Sequence, residues 1–192
     1  MKKYVWILIL MMALSLAGCA KRNPESDTTG PEPTTTVASE TVSITFYREG
    51  EGTTITVPMV TGSTGNYRIA TNPEIFRKYS SEDSDVFWYT LWESQPNIYY
   101  SVTYYPDATA QFMESSLLNK YTGATSEEVK VGQYDAICVS ISNSDQFRSQ
   151  QHFYLIAHND GCFVIETQFI MEMYEGLFPQ MRALFDTFVI VD

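Results

Sequence analysis

Short runs of alternating apolar and polar residues, or of β-branched and aromatic residues, follow one another from Ser43 to Phe169. A period of two is typical of β-strands, whose side chains point alternately to the two faces of a sheet. Residues typical of hairpin turns join three pairs of runs, at Gly50-Glu51-Gly52, Gln95-Pro96-Asn97 and Asn159-Asp160-Gly161. The predicted strands are Ser43–Tyr47, Thr53–Val57, Tyr67–Ala70, Val86–Trp92, Ile98–Tyr105, Glu128–Val131, Ala136–Ile141, His152–Ala157 and Cys162–Phe169.

The period changes to that of a helix in two places. Between Ala108 and Tyr121 the apolar residues form one helical stripe, and Gly123 stands near the expected end. A second, wider stripe predicts a C-terminal helix that starts near Leu177, with Pro179 in its first turn or at a kink. Pro73–Tyr79 is interpreted as a helical turn. The fold class is therefore α+β, a mostly antiparallel β-sheet flanked by helices.

Composition narrows the class of partner. The 192 residues are 44% hydrophobic and 14% aromatic, enough for a sizeable core, which excludes wholesale disorder. Twelve Lys and Arg stand against 23 Asp and Glu, a formal net charge of −11. Nucleic-acid affinity depends on Lys and Arg that neutralise phosphates, so this charge argues against a nucleic-acid partner.

The N-terminus has the organisation of a secretory signal. Lys2 and Lys3 precede an uncharged apolar stretch from Tyr4 to Leu16, which at 13 residues is too short to span a bilayer. Leu16, Ala17, Gly18 and Cys19 follow, and they resemble the lipobox of bacterial lipoproteins. The resemblance implies that the Cys19 thiol is lipidated, that residues 1–18 are removed, and that the chain is held on the outer face of a bacterial membrane. An uncleaved N-terminal anchor is the alternative.

The sequence after Cys19 divides into two parts. Twelve of the 22 residues from Ala20 to Thr41 are Ser, Thr, Pro or Gly, a composition that predicts a flexible tether. The predicted organisation is a signal peptide at residues 1–18, a lipidated cysteine with its tether at 19–41, and a globular domain at 42–192. Loss of the signal peptide removes two lysines and changes the formal charge from −11 to −13. The sequence specifies neither the type of envelope nor an oligomeric state.

Two cysteines remain once Cys19 is assigned. Cys138 and Cys162 lie in apolar runs with one predicted strand between them. In a meander they would lie two strands apart, roughly 9.6 Å, which exceeds the roughly 7 Å limit between the Cα atoms of a disulfide. We expect two buried free thiols, although an extracytoplasmic location would permit a bridge.

Several segments of the folded region together resemble a known fold. They are Tyr67–Ala70 after a hairpin, a long helix after Tyr104-Tyr105, a strand that begins after residues 132–136, and the pair formed by residues 160–166 and Glu172–Phe188. This arrangement resembles the PsbP-like α/β/α sandwich of photosystem-associated extrinsic subunits and small bacterial lipoproteins. The resemblance covers most of residues 42–192 and implies an accessory or binding domain. Its motifs are structural, so it places no functional residue on this sequence.

No motif for catalysis, phosphate binding or metal binding occurs in the sequence, and no cofactor is expected. If His152 and His158 share a strand, they would be roughly 20 Å apart and could not share a metal. Glu82, Asp83 and Asp85 are interpreted as a solvated acidic loop rather than a calcium site.

Glu166, Glu172 and Glu175 suggest acid/base chemistry of the glycosidase type. Glu172 and Glu175, however, lie near the start of a predicted helix, where negative charge is favoured. Glu166 lies in an apolar strand, and we expect a hydrogen-bonded partner or an edge position for it. The protein is therefore expected not to be an enzyme.

Aromatic residues are concentrated between Phe87 and Tyr105. Strand alternation places Trp88 and Trp92 on one face of the sheet, with Phe87 and Tyr89 on the other. Two interpretations stay open: core packing under a helix, or an exposed aromatic patch that binds a partner or a glycan. The leading hypothesis is a non-catalytic binding or scaffold domain for another envelope component. A module that binds a small ligand or glycan is the alternative, ahead of a hydrolase.

Overall fold

The computed structural model describes residues 40–91, 98–143 and 148–191. Most of them lie in antiparallel strands, which form two sheets accompanied by two α-helices, so the α+β class is confirmed at that level. The strands are β1 (Thr41–Arg48), β2 (Glu51–Thr61), β3 (Tyr67–Ala70), β4 (Phe76–Ser80), β5 (Ser84–Tyr89), β6 (Tyr99–Tyr105), β7 (Thr125–Val131), β8 (Tyr134–Ser142), β9 (Ser149–His158), β10 (Gly161–Ile170) and β11 (Val189–Ile190). The helices are α1 (Ala110–Lys120) and α2 (Phe178–Phe185), with a 3-10 turn at Met171–Met173.

The smaller sheet has four strands in the order β1-β2-β3-β11. The predicted β1–β2 hairpin is present, but its turn consists of Glu49 and Gly50 rather than Gly50-Glu51-Gly52. Both turn residues have positive φ, 50° and 86°, as a two-residue hairpin turn of the primed type requires. Glu51 therefore already pairs with Arg48 as the first residue of β2.

The larger sheet has seven strands in the order β4-β5-β6-β10-β9-β8-β7, each antiparallel to its neighbours. Its β9–β10 turn is made by Asn159, with a φ of 50°, and Asp160. Gly161 already belongs to β10. A Cβ atom at Gly161 would lie 2.6 Å from both the Tyr104 hydroxyl and the Tyr105 carbonyl oxygen. Glycine is therefore required there by close packing against β6.

The predicted helical turn at Pro73–Tyr79 is wrong, because only its first part turns. The Asn72 carbonyl accepts hydrogen bonds from the amides of Ile75 (3.2 Å) and Phe76 (2.9 Å), which closes a single turn. The chain then continues as β4 and pairs with β5 over its whole length. Burial of Phe76, which is 3% exposed, favours the strand, whose alternation sends this side chain into the core.

Both predicted helices are present. The Thr109 side chain caps α1 by accepting from the Phe112 amide at 3.2 Å, and Pro179 stands in the first turn of α2. Helix α1 packs on the outer face of the large sheet, over β7, β8 and β9. No helix among residues 40–91, 98–143 and 148–191 is long and apolar enough to cross a membrane.

Helix α2 lies between the two sheets. On one side it packs on β1, where Arg48 donates to the Gln180 side chain at 3.3 Å. On the other side α2 contacts the ring of Tyr154 on β9. The ring centroids of Phe185 and Tyr154 are 5.6 Å apart, and the guanidinium carbon of Arg182 lies 4.9 Å from the Tyr154 centroid. The main core is therefore enclosed by the small sheet, α2 and the inner face of the large sheet.

The expectation of two buried free thiols is confirmed. Cys138 lies on β8 and Cys162 on β10, with β9 between them, and neither forms a disulfide. They also occupy opposite faces, since Cys138 belongs to the main core and Cys162 to the cluster under α1. Burial raises the pKa of both thiols, that of Cys162 to about 11, so both are protonated and unreactive.

Candidate functional site

Consecutive aromatic residues of β5 and β6 point to opposite sides of the large sheet. Phe87 and Tyr100 point inward, are 0% exposed, and stack on each other with ring centroids 4.4 Å apart. Trp88 and Tyr99 pair across the same two strands on the outer face, with centroids 5.0 Å apart, and are only partly buried. The alternation predicted for Phe87 and Trp88 is therefore observed. The interpretation as core applies to Phe87, whereas Trp88 lies at the surface.

The outer face of the large sheet is covered over only part of its width. Helix α1 packs over β7 to β9, whereas the outward side chains of Arg77, Tyr79 and Trp88 on β4 and β5 stay at least partly accessible to solvent. Tyr79 on β4 is 53% exposed. We call this surface the aromatic face and define it by five residues on β4, β5, β6 and β10: Tyr79, Trp88, Tyr99, Glu166 and Gln168.

Glu166 is held in place by an aromatic neighbour. The Tyr99 hydroxyl donates to its Oε1 at 2.6 Å, so the hydrogen-bonded partner expected for Glu166 is found. The edge position is not, because β10 lies between β6 and β9. Burial, and then the hydrogen bond and charge of Glu166, raise the pKa of Tyr99 well above its ordinary value. The Tyr99 hydroxyl therefore stays protonated and donates its hydrogen bond to Glu166, which holds the carboxylate and the Tyr99 ring in fixed orientations.

Polar side chains border the aromatic face on two sides. Gln151 on β9 donates to Gln168 at 2.8 Å, which orients the Gln168 amide beside Tyr99, its cross-strand neighbour. Lys120, at the end of α1, lies 4.7 Å from the ring centroid of Tyr121. A hydrogen bond with Tyr121, and to a smaller extent the charge of Glu166, raise the pKa of Lys120. The aromatic face therefore combines aromatic rings with an oriented amide and an oriented carboxylate.

A buried carboxylate that sequence reasoning missed lies on the other side of β5. Asp85, interpreted as part of a solvated acidic loop, is 0% exposed, whereas Glu82 and Asp83 are exposed as expected. Asp85 accepts hydrogen bonds from the hydroxyls of Tyr67 and Ser80, both at 2.5 Å, and from the Ser63 amide at 2.7 Å. Lys78 pairs with it at 3.1 Å.

The Asp85 network connects the two sheets. Tyr67 and Ser63 belong to β3 and the loop before it, whereas Ser80 and Lys78 belong to β4. Burial by itself would raise the pKa of Asp85, but the four donors outweigh it and lower the pKa. Alternation on β5 signals that Asp85 points inward like Phe87. In the sequence, however, the neighbouring acidic residues favour the interpretation as an exposed loop. The hydrogen-bond partners Ser63 and Tyr67 are also too distant from Asp85 in sequence to be recognised from a local pattern.

The other ionisable residues considered in the sequence do not converge. His152 and His158 both lie on β9, and no group of three metal-ligating side chains occurs among the described residues. Glu172 and Glu175 are exposed beyond the end of β10, and Glu175 lines a separate cavity with Arg48 and Glu51. The structure therefore does not bring Glu172 or Glu175 to Glu166.

Five of the sequence-predicted site residues lie outside the described part of the chain. They are the lipobox and lipidation residues and the second tryptophan of the predicted patch: Leu16, Ala17, Gly18, Cys19 and Trp92. Of the predicted aromatic pair, only Trp88 has a described position. Tyr99 and Tyr79 were not singled out by the sequence, although strand pairing with Trp88 and the same alternation could have identified them.

Comparison with known proteins places no family name on the chain. No protein-family model and no curated protein sequence matches it. A solved structure from Bacteroides thetaiotaomicron VPI-5482 is similar with a TM-score of 0.49 and 10% identity over 70% of this chain, which spans 48% of that one. LpqN of Mycobacterium tuberculosis, described as involved in cell envelope biogenesis, has a TM-score of 0.46 and 14% identity, and the match covers 70% of this chain and 90% of LpqN.

Proposed function

We propose that this protein is a lipid-anchored, non-enzymatic lipoprotein whose domain binds another component of the cell envelope through the aromatic face. The observation that carries the proposal is the position of Trp88 and Tyr99 on the half of the sheet that α1 does not cover. Tyrosine and tryptophan are enriched at binding surfaces because one part of each ring is apolar and another forms hydrogen bonds.

The anchor is proposed from the sequence. A charged start, an apolar stretch of 13 residues and Leu16 to Cys19 together favour lipidation of Cys19. Stable attachment needs two acyl chains or a second membrane signal, and this lipid would supply the chains. We further propose a PsbP-like domain, since α1 and α2 lie on opposite faces of the seven-stranded sheet, as in an α/β/α sandwich.

Lipidation is tested by growing cells that express the full chain with an alkyne-bearing fatty acid. Wild-type protein should incorporate the label and fractionate with membranes, whereas the Cys19→Ala variant should do neither. An unlabelled wild-type protein would contradict the anchor, and a label that persists in Cys19→Ala would place the lipid elsewhere.

The binding role is tested with two aromatic-to-alanine variants of the full chain, studied in intact cells with a lysine-reactive cross-linker. Tyr79→Ala removes a half-exposed ring from the aromatic face, and Phe112→Ala removes a ring from α1 that is 64% exposed. Tyr79→Ala should abolish a specific adduct that Phe112→Ala retains, with normal amounts of both proteins in the membrane. Equal loss in both variants, or no adduct in any, would contradict the proposal.

A glycan is the second candidate ligand, favoured by one observation. Tyr99 and Trp88 present rings beside the oriented side chains of Glu166 and Gln168, and sugars bind through ring stacking together with such polar contacts. A saturating glycan at 100 times its dissociation constant would add about 2.7 kcal/mol to the free energy of unfolding. This corresponds to a shift of several degrees in the melting temperature. Envelope glycans that give no shift would leave the protein partner as the ligand class.

A further inference from the structure

Within residues 40–91, 98–143 and 148–191 the two sheets have four edge strands, and only one of these edges is open to another strand. Strand β11 has two residues, β4 carries Arg77 and Lys78, and β7 carries three charges. Short length and charge are the usual means by which proteins protect an edge against pairing with another chain. From Thr41 to Tyr47, by contrast, β1 has seven residues with neither a charge nor a proline.

The direction of the β1 backbone groups follows from one hydrogen bond. The Glu40 carbonyl accepts from the Met59 amide at 2.8 Å, so even-numbered residues of β1 bond to β2. Thr41 is accordingly opposite Pro58, which has no N–H to donate. Alternation then directs the N–H and C=O groups of Thr41, Ser43, Thr45 and Tyr47 away from β2. Among the described residues, no strand pairs with this side of β1.

Space for an added strand lies alongside this edge. A cavity of about 590 Å³ is bordered by β1, the end of α2 and the turn between β7 and β8. Its lining is partly apolar, with Val42 and Ile44 from β1 and Ala183 from α2. A docked strand would therefore gain backbone hydrogen bonds on one side and apolar contacts beneath it, the combination used in β-strand addition.

We propose that a second copy of this chain docks on β1 through its own β1, antiparallel and with Ile44 opposite Ile44 of the partner subunit. This register is the one that pairs all four outward-directed residues with one another, Thr41 with Tyr47 and Ser43 with Thr45. It also places Val42 opposite Phe46 of the partner subunit, on the face of the sheet that borders the cavity. The two small sheets would join into one sheet of eight strands.

Charge complementarity favours a second copy over an unrelated strand. The same register brings Glu40 opposite Arg48 of the partner subunit at each end of the paired strands. The Glu40 side chain is 64% exposed and is held by Arg68, and Arg48 is exposed beside Phe46. Two opposite-charge pairs thus arise from Glu40, the residue before β1, and Arg48, its last residue, although the chain as a whole is strongly acidic.

A charge-swap cycle on the full chain in detergent tests the register, with sedimentation equilibrium and native mass spectrometry as readouts. Glu40→Arg would place like charges opposite each other at both ends, and so would Arg48→Glu. Each variant alone should raise the dissociation constant of the dimer roughly tenfold. A mixture of the two should restore wild-type affinity as a heterodimer, because each new charge then meets its opposite. Glu74→Arg, on the exposed turn between β3 and β4, is the matched control and should dimerise like wild type.

A proline variant tests the edge independently of charge. Thr45→Pro removes an outward N–H and places a ring where the second strand would lie, without touching the β1–β2 ladder. It should give a monomer with wild-type circular dichroism. A wild-type protein that stays monomeric at every concentration would overturn the proposal. A dimer that neither the charge variants nor Thr45→Pro weakens would also overturn the proposal, because its interface would lie elsewhere. Co-purification of a different protein bound to β1 would overturn it as well.

Discussion

The two faces of strands β5 and β6 show how one stretch of chain builds both a core and a surface. Phe87 and Tyr100 are fully buried on the inner face, whereas their neighbours Trp88 and Tyr99 lie on the outer face, partly accessible. The residue types are nearly the same on both sides. The two faces differ in what packs against them. Helix α2 and the small sheet enclose the inner face, whereas α1 packs on the outer face over β7 to β9, away from β5 and β6.

The polar atoms of the two faces differ in the same way. On the inner face the Tyr100 hydroxyl donates to Thr71 at 3.1 Å, and both groups are buried. On the outer face the Tyr99 hydroxyl donates to Glu166, a carboxylate that lies at the surface. The inner aromatic residues therefore stabilise the fold, whereas the outer ones are oriented at a surface where a ligand can reach them.

The largest effect is expected from the inner face. Phe87→Ala should lower the free energy of unfolding by about 3–5 kcal/mol, because truncation of a fully buried ring leaves a cavity against Tyr100. Chemical denaturation of the full chain in detergent measures this cost. Trp88→Ala, the adjacent variant on the outer face, should cost about 1–2 kcal/mol, since its ring is only partly buried. Equal costs would remove the distinction between the faces.

The next effect concerns the buried carboxylate behind the aromatic strands. Asp85→Ala should cost about 3 kcal/mol, since it leaves Lys78 and three further donors without their acceptor. Asp83→Ala, in the same acidic run but exposed, is the control and should change stability by less than about 0.5 kcal/mol.

The pH dependence adds a second readout for Asp85. Its pKa is lowered in the folded protein, so its contribution is present above the ordinary carboxyl pKa of 3.8 and is lost as the pH falls further. Asp85→Ala should therefore flatten the stability curve below about pH 4. A curve unchanged in this range would show that Asp85 is not ionised in the fold.

A smaller, separate loss of stability is expected at milder acidity. Burial among Phe169 and Phe178, and then the nearby charge of Arg182, lower the pKa of His152 from 6.5 to about 4. The unfolded chain takes up this proton below pH 6.5 and the folded protein does not, so stability falls between pH 6.5 and about 4. His152→Gln should reduce that slope. A slope unchanged in this variant would show that His152 is not the group that takes up the proton.

Local patterns were enough to predict much of the fold. Strand β3 and helix α1 were predicted almost to the residue, because alternation, a helical apolar stripe and a nearby glycine are all encoded within a few positions. Strand β4 was mistaken for a helical turn, because its pairing with β5 and the burial of Phe76 are tertiary effects. The division into two sheets depends on long-range pairing, which periodicity does not report.

The candidate site was predictable in part for the same reason. Alternation identified the side of β5 on which Trp88 lies, but how much of the sheet α1 covers follows from packing alone. Asp85 was assigned to solvent because its two acidic neighbours, Glu82 and Asp83, belong to the same short run of carboxylates, although they are exposed and Asp85 is buried. Tyr99 and Glu166, 67 residues apart in sequence, become partners only when β6 pairs with β10.

The smallest stability effect is expected for the most exposed ring of the aromatic face. Tyr79→Ala should change the free energy of unfolding by less than about 0.5 kcal/mol, because the side chain is 53% exposed on an edge strand. Thermal unfolding beside wild type measures this difference. A loss of several kcal/mol would make Tyr79 part of the core and contradict the division between the two faces.

Site-specific photo-cross-linking in intact cells tests the central claim most directly. A photoreactive residue at position 77, exposed and paired with Trp88 across β4 and β5, should form an adduct with a defined envelope component. The same residue at position 112 on α1 serves as the control and should not form it. The account predicts that the adduct at position 77 disappears in a Trp88→Ala background while the protein stays folded. An adduct from both positions, or one that survives the loss of Trp88, would contradict the claim that the aromatic face is the binding surface.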